Sequence, residues 1–356
     1  NRVLGILTSR DIRFLEDNNV RVGDIMTKEN LAMVKEPINT KEAKQIMAKR
    51  RIEKLLVVDE SNYLIGLLTI KDIEKYEDRY REGYEVIRKQ RFKKQKQLGV
   101  LPKNTVLSQA EYVDWDNLSP AEKTEESKTM AVYAAMIDRL DQNIGRILEK
   151  LEKQGKLNNT LIFFISDNGG SSEVVNIPGG TGEIGTSTNW KSLGKNWANV
   201  CNTPFREYKN WSHEGGIKTP MIAYWPKKIK TKGFISHKPI HFIDFLPTLQ
   251  ELIGANYPEY LNGNTIFPSH GESFLPQLLG DSSVKRDTPI FWQWRHGKAV
   301  RDGNWKLVAH KDLWELYNLE SDPVEEMNLI KKEKKKLTEL KALYENWASQ
   351  FEITKR

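Results

Sequence analysis

An octapeptide occurs twice near the start of the chain, and this repeat constrains the amino-terminal fold more than any other feature. Residues 5–12 read GILTSRDI, and residues 66–73 read GLLTIKDI, 61 positions further on. Each copy is a short apolar run followed by Thr-x-x-Asp, which is typical of a strand that leads into a capped helix. A repeat at such a spacing indicates one supersecondary unit that is used twice.

The segment between the two copies contains the predicted strands and helices of one complete supersecondary unit. It predicts strands at 31–34, 54–59 and 64–69, a helix at about 41–50 that is capped by Thr40, and a last helix after the second copy. Free N–H groups at a helix start attract phosphate, and the Asp of each repeat can accept hydrogen bonds from ribose hydroxyls. The alternative interpretation is that Thr and Asp are helix caps only.

The repeat, together with DIMTKEN and RIEKLLVVDE, resembles the paired CBS modules of bacterial IMP dehydrogenase over about residues 2–75. The resemblance implies an α+β module, with the tail of a first CBS module at 1–23 and a complete second module at 24–75. It also implies that an adenine or guanine nucleotide is held through its ribose. The implied nucleotide-binding residues are Thr8, Asp11, Thr69 and Asp72. Because only the tail of the first module is present, we expect half of the nucleotide cleft to be missing.

The character of the chain changes after about residue 80, and every Trp lies at or after Trp115. Apolar residues at three- and four-residue steps predict an amphipathic helix over 126–153, which Gly155 ends. The run TLIFFIS follows and predicts a central strand that is covered on both faces. Asp167 and Asn168 come where this strand stops. Their oxygens suit Ca²⁺ or Mg²⁺, although a plain Asp-Asn-Gly turn without a ligand explains them equally well.

Five blocks in order resemble the arylsulfatases of the alkaline-phosphatase superfamily over about residues 76–350. The blocks are FFISDNGG, TPFREYKNWSHEGGIKTPMIAYWP, HFIDFLPTLQELIGA, AVRDGNWKLV and WELYNLESDP. The resemblance implies an α/β fold: part of an alkaline-phosphatase-like sulfatase sheet at 76–280, without its amino-terminal half, and a small antiparallel carboxy-terminal subdomain with a helix at 281–356. It implies a sulfuric ester hydrolase whose substrate is a sulfate ester.

The resemblance also implies roles for single residues. Asp167 and Asn168 match the second pair of ligands to the active-site Ca²⁺, and Lys209 matches the lysine that contacts the sulfate ester. A divalent cation and an ammonium group can neutralise the charge that develops on sulfate oxygens. His213 is a possible pocket wall, with a structural role as the favoured alternative. For His241 we expect packing at a helix start, and Arg295 and His296 are candidates for the pocket mouth.

The family's nucleophile has no counterpart in this chain. Sulfatases of this kind use a formylglycine that is made from the Cys or Ser of C/S-x-P-x-R. Cys201 lies in CNTPFR, which is one residue too long, and no S-x-P-x-R occurs. We therefore expect an ordinary thiol at Cys201, no encoded formylglycine, a weak or partial Ca²⁺ site, and no sulfatase turnover by this chain alone. We also expect the incomplete sheet to expose an apolar edge and to lower solubility.

Composition excludes several other classes. The net charge of +7 comes largely from basic runs at 87–97 and 331–336. These runs match no nucleic-acid-binding motif, so we interpret them as solvated helix faces and expect no nucleic-acid partner. No stretch is apolar enough for a membrane span. The single cysteine excludes an internal disulfide, and no signal peptide is visible in the residues that follow Asn1.

Two unrelated resemblances in one chain leave three hypotheses open. The chain is part of a sulfatase, a CBS nucleotide-sensing segment with an unrelated extension, or a chimera of both that joins near KDIEKY at 71–76. The sulfatase resemblance covers far more residues and is our first choice. The CBS part implies a cytoplasmic protein and the sulfatase part an exported one, so the compartment stays open.

Overall fold

The computed structural model describes residues 3–7, 20–35, 40–50, 52, 54–69, 75–109, 111–175, 180, 182, 184–185, 189–231, 233–281 and 283–351. The chain divides into two compact units. The first comprises Asn1–Gly83, Leu118–Asn143 and Glu173–Leu193, and the second comprises Tyr84–Asn117, Ile144–Ser172 and Gly194–Arg356.

Helices and strands alternate irregularly along the chain. The helices are α1 Val22–Ile25, α2 Thr40–Arg50, α3 Gly83–Gln97, α4 Pro120–Lys153, α5 Gly194–Cys201, α6 Glu214–Ile217, α7 Phe245–Ile253, α8 Leu275–Leu278 and α9 Lys334–Gln350. The strands are β1 Met33–Lys35, β2 Lys54–Val58, β3 Leu64–Thr69, β4 Ile162–Ile165, β5 Met221–Tyr224, β6 Tyr260–Leu261, β7 Asn264–Thr265, β8 Ile290–Trp294, β9 Gly297–Asp302, β10 Trp305–His310 and β11 Leu313–Asn318.

The first unit contains a three-stranded sheet in the order β1-β2-β3, with β1 parallel and β3 antiparallel to β2. Ala43 and Met47 of α2 pack on Leu55 of β2, which is fully buried. The predicted strands and the helix at 41–50 are confirmed within one or two residues. The CBS module as a whole stays a prediction, because the last predicted helix begins outside the described residues.

Helix α4 confirms the predicted amphipathic helix but begins six residues earlier, at Pro120. Ser119 and Glu122 explain the difference because they form a capping box. The Ser119 N–H donates to a Glu122 carboxylate oxygen over 2.8 Å, and the Glu122 N–H donates to Ser119 Oγ over 3.3 Å. Gly155 ends the helix with a φ of 67°, as expected.

The predicted solvated helix face at 87–97 is exposed at most positions, but its start is buried and Gln95 is half-buried, with its side-chain amide donating to the Thr203 carbonyl over 2.8 Å. Tyr84 and Arg88 of α3 are buried, and the Tyr84 ring lies 4.7 Å from that of Trp197. The Arg88 guanidinium donates to the Ser108 carbonyl over 2.6 Å. The interpretation of this run as wholly solvated was therefore wrong for Arg88, whose charge is satisfied by hydrogen bonds inside the second unit.

The expectation that the TLIFFIS strand is covered on both faces was wrong. Within the described residues β4 pairs with β5 alone, antiparallel, from Ile162–Tyr224 to Ile165–Met221. One face packs on α7 through Phe163, whose ring lies 5.2 Å from that of Phe245. On the other face, Phe164 and Ile222 are 45% and 62% exposed. The exposed apolar surface is a face of the strand pair; the exposed edge and the lower solubility stay predictions.

The predicted antiparallel carboxy-terminal sheet is confirmed as a four-stranded meander in the order β11-β10-β9-β8. One face buries Val300, Leu307 and Leu316 against Leu340 and Tyr344 of α9. The other face buries Ala299, Val308 and Tyr317. Both faces of this sheet are covered, so among the described residues it forms an apolar core on each side.

Candidate active site

The turn that carries Asp167 and Asn168 follows the end of β4 and is held by its own hydrogen bonds. Thr219 Oγ1 donates to the Ser166 carbonyl over 2.8 Å, and Ser166 Oγ donates to the Asn168 carbonyl over 3.0 Å. The Asn168 side-chain amide donates to the Gly169 carbonyl over 2.8 Å. Asp167 is exposed and Asn168 is half-buried, so the carboxylate faces solvent from a fixed backbone.

Backbone hydrogen bonds join this turn to the segment around Lys209. The Lys209 N–H donates to the Gly170 carbonyl over 3.0 Å, and the Gly169 N–H donates to the Gly216 carbonyl over 2.9 Å. The side chain of Asn202 accepts from the Gly170 N–H over 2.7 Å. The fold therefore brings together Asp167, Asn168 and Lys209, which lie some forty residues apart in the sequence.

The approach of the two segments is close enough to require glycine. A Cβ built on Gly169 would lie 1.8 Å from the Gly215 carbonyl oxygen. Real Cβ atoms do not come so near to backbone, so any side chain at 169 would force the two turns apart. The Asp-Asn-Gly-Gly turn therefore needs glycine at position 169 for this close contact.

A buried ion cluster lies behind the Lys209 segment. Lys306 of β10 is fully buried, and its ammonium group lies 2.8 Å from carboxylate oxygens of both Glu214 and Glu325. The Glu214 N–H donates to the second Glu325 oxygen over 2.7 Å. Burial alone would raise the pKa of Glu214, but the neighbouring Lys306, Lys218 and Arg301 hold it far below its ordinary value. Helix α6 is fixed to the carboxy-terminal sheet by these contacts.

His213 points into the protein. It is 2% exposed, and its Nε2 lies 2.7 Å from a Glu315 carboxylate oxygen. Burial opposes ionisation of Glu315, yet hydrogen bonds from His213 and Tyr317 and the nearby Arg206 keep its pKa below the usual range. These contacts favour the structural role of His213 over a place in a pocket wall.

The other residues that the sequence suggested as site residues lie on several different elements. Arg295 and His296 are both exposed in the turn that joins β8 to β9. His241 begins a helical turn as expected, since its Nδ1 accepts from the Ile243 N–H over 3.3 Å. Thr8, Asp11 and Asp72 lie outside the described residues. Thr69 is the last residue of β3, but its side chain is not among those that the structure describes.

The donor set at the turn fits a calcium ion only in part. Asp167 and Asn168 offer hard oxygens of the kind that Ca²⁺ prefers, but Ca²⁺ takes about six to eight of them. No group of three or more His, Cys, Asp or Glu side chains within the described ranges could hold a metal ion. The two residues therefore fit as part of a ligand set whose other members are waters or further residues.

Cys201 ends α5 and is partly buried. Burial raises the pKa of its thiol, and the nearby Arg91 only partly offsets this effect. A raised pKa keeps the group as a thiol at neutral pH, which is unfavourable for nucleophilic chemistry. This environment agrees with the expectation of an ordinary cysteine.

The buried ion cluster was missed by sequence reasoning. Glu214 and Glu325 look like ordinary surface charges, and nothing in the sequence pairs them with Lys306. One signal was available: in the strand WKLVAH, alternation places Lys306 on the same face as the apolar Val308. An inward lysine on a strand needs a buried carboxylate partner.

Comparisons with protein families identify the class. A model described as Sulfatase matches residues 39–255, and a model described as N-sulphoglucosamine sulphohydrolase, C-terminal, matches residues 206–350. The first match covers more than half of the chain, so the chain belongs to the sulfatase family. It begins inside the 2–75 segment that resembles CBS modules, so the domain boundary at 75–76 stays a prediction.

Individual relatives agree with the family. An uncharacterized sulfatase of Schizosaccharomyces pombe is 34% identical over 282 residues, which are 73% of this chain and 51% of that protein. An arylsulfatase of Klebsiella aerogenes is 32% identical over 214 residues, which are 56% of this chain and 46% of that protein. The chain thus spans about half the length of these curated relatives.

A shorter match concerns the amino-terminal part. The inosine-5'-monophosphate dehydrogenase of Halalkalibacterium halodurans is 54% identical over 74 residues, which are 21% of this chain and 15% of that enzyme. Among solved structures, Ps i-CgsB in complex with k-i-k-neocarrahexaose is 26% identical, with a TM-score of 0.47 over 66% of this chain and 44% of that one. A TM-score of this size carries no argument about site or substrate.

Proposed function

We propose that this chain carries the sulfate-contacting part, and one portion of the Ca²⁺-binding part, of an arylsulfatase-type active site. The observation that carries the proposal is the pair of backbone hydrogen bonds that join the Asp167–Asn168 turn to the Lys209 and Gly216 segments. These bonds fix an acidic turn beside the backbone of a lysine. Such an arrangement suits a site where a cation and an ammonium group share one anion.

Each residue has a distinct role in the proposal. Asp167 and Asn168 supply two of the oxygens that hold Ca²⁺, and Lys209 donates to an oxygen of the sulfate ester. The bound cation supplies charge neutralisation at the sulfate oxygens. Because this chain encodes no formylglycine motif and Cys201 is not activated, it binds the ester without cleaving it.

Ligand binding by the full chain tests the proposal directly. We expect 4-nitrophenyl sulfate to bind in the presence of CaCl₂, as measured by saturation-transfer NMR, with weaker binding when Ca²⁺ is chelated. Lys209→Ala is expected to lower the affinity about tenfold, the usual effect of losing one charge-assisted hydrogen bond. Asp167→Asn is expected to abolish the calcium dependence but to keep the residual binding through Lys209.

Lys228→Ala is the matched control, because Lys228 is an exposed lysine of the same unit outside these turns. Equal binding by Lys209→Ala and wild type would contradict the proposed contact. Release of 4-nitrophenol by the pure chain above the rate of the Lys209→Ala variant would contradict the absence of turnover. Melting curves recorded for every variant separate loss of binding from loss of fold.

A second candidate function concerns the amino-terminal segment, and the 54% identity to a dehydrogenase over 74 residues favours it. In this alternative the segment binds an adenine or guanine nucleotide through Thr8, Asp11, Thr69 and Asp72. Calorimetric titration of the full chain with ATP and with GTP tests it, with Asp72→Ala as the variant that should lose binding. Absence of heat with either nucleotide would remove the candidate.

The presence of both resemblances supports a chimera as the origin of the chain. Amplification across codons 60–90 from source DNA tests this origin. One continuous product means that the fusion is real, whereas separate products mean that the two parts belong to different proteins.

A further inference from the structure

We infer that the turn between β8 and β9 forms a specificity subsite that receives a ring bearing a second anionic group, next to the sulfate contact at Lys209. The two residues that form this subsite are Trp294 and Arg295. The inference rests on the proposed function and extends it from the sulfate group to the rest of the substrate.

The turn is packed against the Lys209 segment. Trp294 Nε1–H donates to the side-chain oxygen of Asn210 over 2.9 Å, and Asn210 directly follows Lys209. Gly297 lies so close that a Cβ there would be 2.7 Å from Ser212 Oγ. These contacts hold the turn beside the segment that carries Lys209, which is the observation on which the subsite rests.

The turn presents an aromatic surface to solvent. Trp294 is 60% exposed although its indole N–H is already bonded. A large exposed ring whose orientation is fixed loses little conformational entropy on binding, and it offers its face to another ring. Sugar and aryl rings share the flat apolar faces that stack on an indole, so this chemistry admits both.

A cation lies over one face of this ring. The Arg295 guanidinium carbon is 5.7 Å from the centre of the Trp294 ring, which is within the range of a cation–π contact. Its five donors can bind a sulfate or carboxylate in two-point fashion. A ring that stacks on the opposite face of Trp294 would place a second anionic substituent near this guanidinium.

Arg295 occupies a backbone position that does not favour arginine. Its φ is 49°, in the left-handed region, and it is the first residue of a two-residue hairpin turn, where glycine is the favoured residue. The Trp294 and Gly297 pair closes this turn. An arginine at this strained backbone position agrees with a role for its guanidinium. Replacing Arg295 with glycine should remove the guanidinium without destabilising the turn.

The test measures calorimetric affinities of the full chain, with CaCl₂ present, for four probes. They are inorganic sulfate, a hexose monosulfate, the same hexose disulfate and a benzene disulfate. We expect the disulfates to bind about tenfold more tightly than the monosulfate, the size of effect for one charge-assisted contact. Similar affinities for the two disulfates mean that the subsite accepts either kind of ring. A preference for one of them identifies the preferred ring as sugar or aryl.

Substitutions at the turn give the deciding results. Trp294→Ala is expected to weaken the hexose probes about tenfold and to leave inorganic sulfate unchanged, while Trp294→Phe keeps the binding because it keeps a ring. Arg295→Gly is expected to remove the preference for the disulfate while the melting temperature stays equal or rises. Tyr260→Ala, an exposed aromatic on the β6–β7 hairpin, is the matched control.

The outcomes separate the inference from the proposed function. If Lys209→Ala weakens all probes but Trp294→Ala and Arg295→Gly change none, the subsite is overturned and the proposed function stands. If Trp294→Phe loses as much affinity as Trp294→Ala, the indole acts as a clamp on Asn210, and the stacking role is wrong. If the wild-type chain binds none of the four probes, both are overturned.

Discussion

Lys306 is a single residue whose role depends on partners that are remote in the sequence. Glu214 and Glu325 meet its ammonium group from 92 positions before it and from 19 positions after it. A buried charge is tolerated only when it is paired, and each partner here needs the lysine. The cluster connects the segment that carries Lys209 to the carboxy-terminal sheet, so its integrity bears on the candidate site.

Removing the lysine charge tests this role. Lys306→Met is expected to lower the free energy of unfolding by about 3–5 kcal/mol at pH 8, because two buried carboxylates lose the ammonium group that both of them contact. Glu214 has a lowered pKa in the native protein, so its ionised form stabilises the fold above its ordinary pKa. In the variant it can take up a proton as the pH falls, and the loss should shrink between pH 8 and pH 5.

Lys298→Met is the control for this measurement by urea denaturation. Lys298 lies on the neighbouring strand and pairs with Asp312 over 3.1 Å, but Asp312 is 93% exposed. A surface pair of this kind contributes less than about 1 kcal/mol. A similar loss for both variants, or a loss that does not depend on pH, would show that the buried cluster does not stabilise as described.

His213 gives a second prediction at the same scale. His213→Ala is expected to destabilise the fold by about 1–2 kcal/mol at pH 7, because Glu315 loses a hydrogen-bond donor in a half-buried place. Glu315 has a lowered pKa, so it stabilises the fold above its ordinary pKa and less as the pH falls. The difference between variant and wild type should therefore decrease from pH 7 to pH 4.

His213→Gln provides the comparison, since its amide can still donate to Glu315. Partial recovery of stability by this variant, with unchanged binding of 4-nitrophenyl sulfate, is the expected result for a structural histidine. Loss of ligand binding by a fully folded His213→Gln protein would instead restore the pocket role.

At the scale of elements, the turn after β4 is defined by its fit to the Glu214-Gly215-Gly216 segment. Gly169→Ala is expected to destabilise the fold by about 3 kcal/mol, because the new Cβ meets the Gly215 carbonyl oxygen and backbone must move. It should also lower the calcium-dependent binding of 4-nitrophenyl sulfate. Melting temperature and saturation-transfer NMR are the measurements.

Gly145→Ala is the matched glycine control. Gly145 lies inside α4, and a Cβ there would meet nothing within 4 Å. A helix-interior glycine replaced by alanine stabilises by about 0.5–1 kcal/mol. Opposite signs for the two variants are the expected pattern, and a stable Gly169→Ala protein would show that the two turns are not in contact.

The whole molecule carries an open apolar surface on the β4–β5 pair. Ile222→Lys is expected to reduce self-association, because it places a charge in the middle of the exposed face while leaving the fold intact. Sedimentation velocity over a range of protein concentrations measures the effect. The neighbouring Met221→Lys faces the opposite side, which packs towards α7, and should destabilise by at least about 2 kcal/mol.

Equal association of wild type and Ile222→Lys would show that this face does not drive contact between molecules. None of the described helices is long and apolar enough to cross a membrane.

Local sequence determined most of the elements. The capping residues and apolar period of α4, the strand pattern of β1 to β4 and the alternation in the carboxy-terminal meander all depend on neighbours in the chain. The blocks around Asp167 and Lys209 likewise placed the candidate site. Short-range propensities and motif spacing suffice for such features, because the interactions that produce them span only a few residues.

Only the tertiary structure decided the rest. Within the described residues it left Phe164 and Ile222 exposed on one face of the β4–β5 pair, which the apolar run had suggested was covered. It buried Lys306 between two remote glutamates, turned His213 inward to Glu315, and placed Trp294 against the residue that follows Lys209. These contacts join residues dozens of positions apart, and their energies depend on burial and geometry that no local pattern contains.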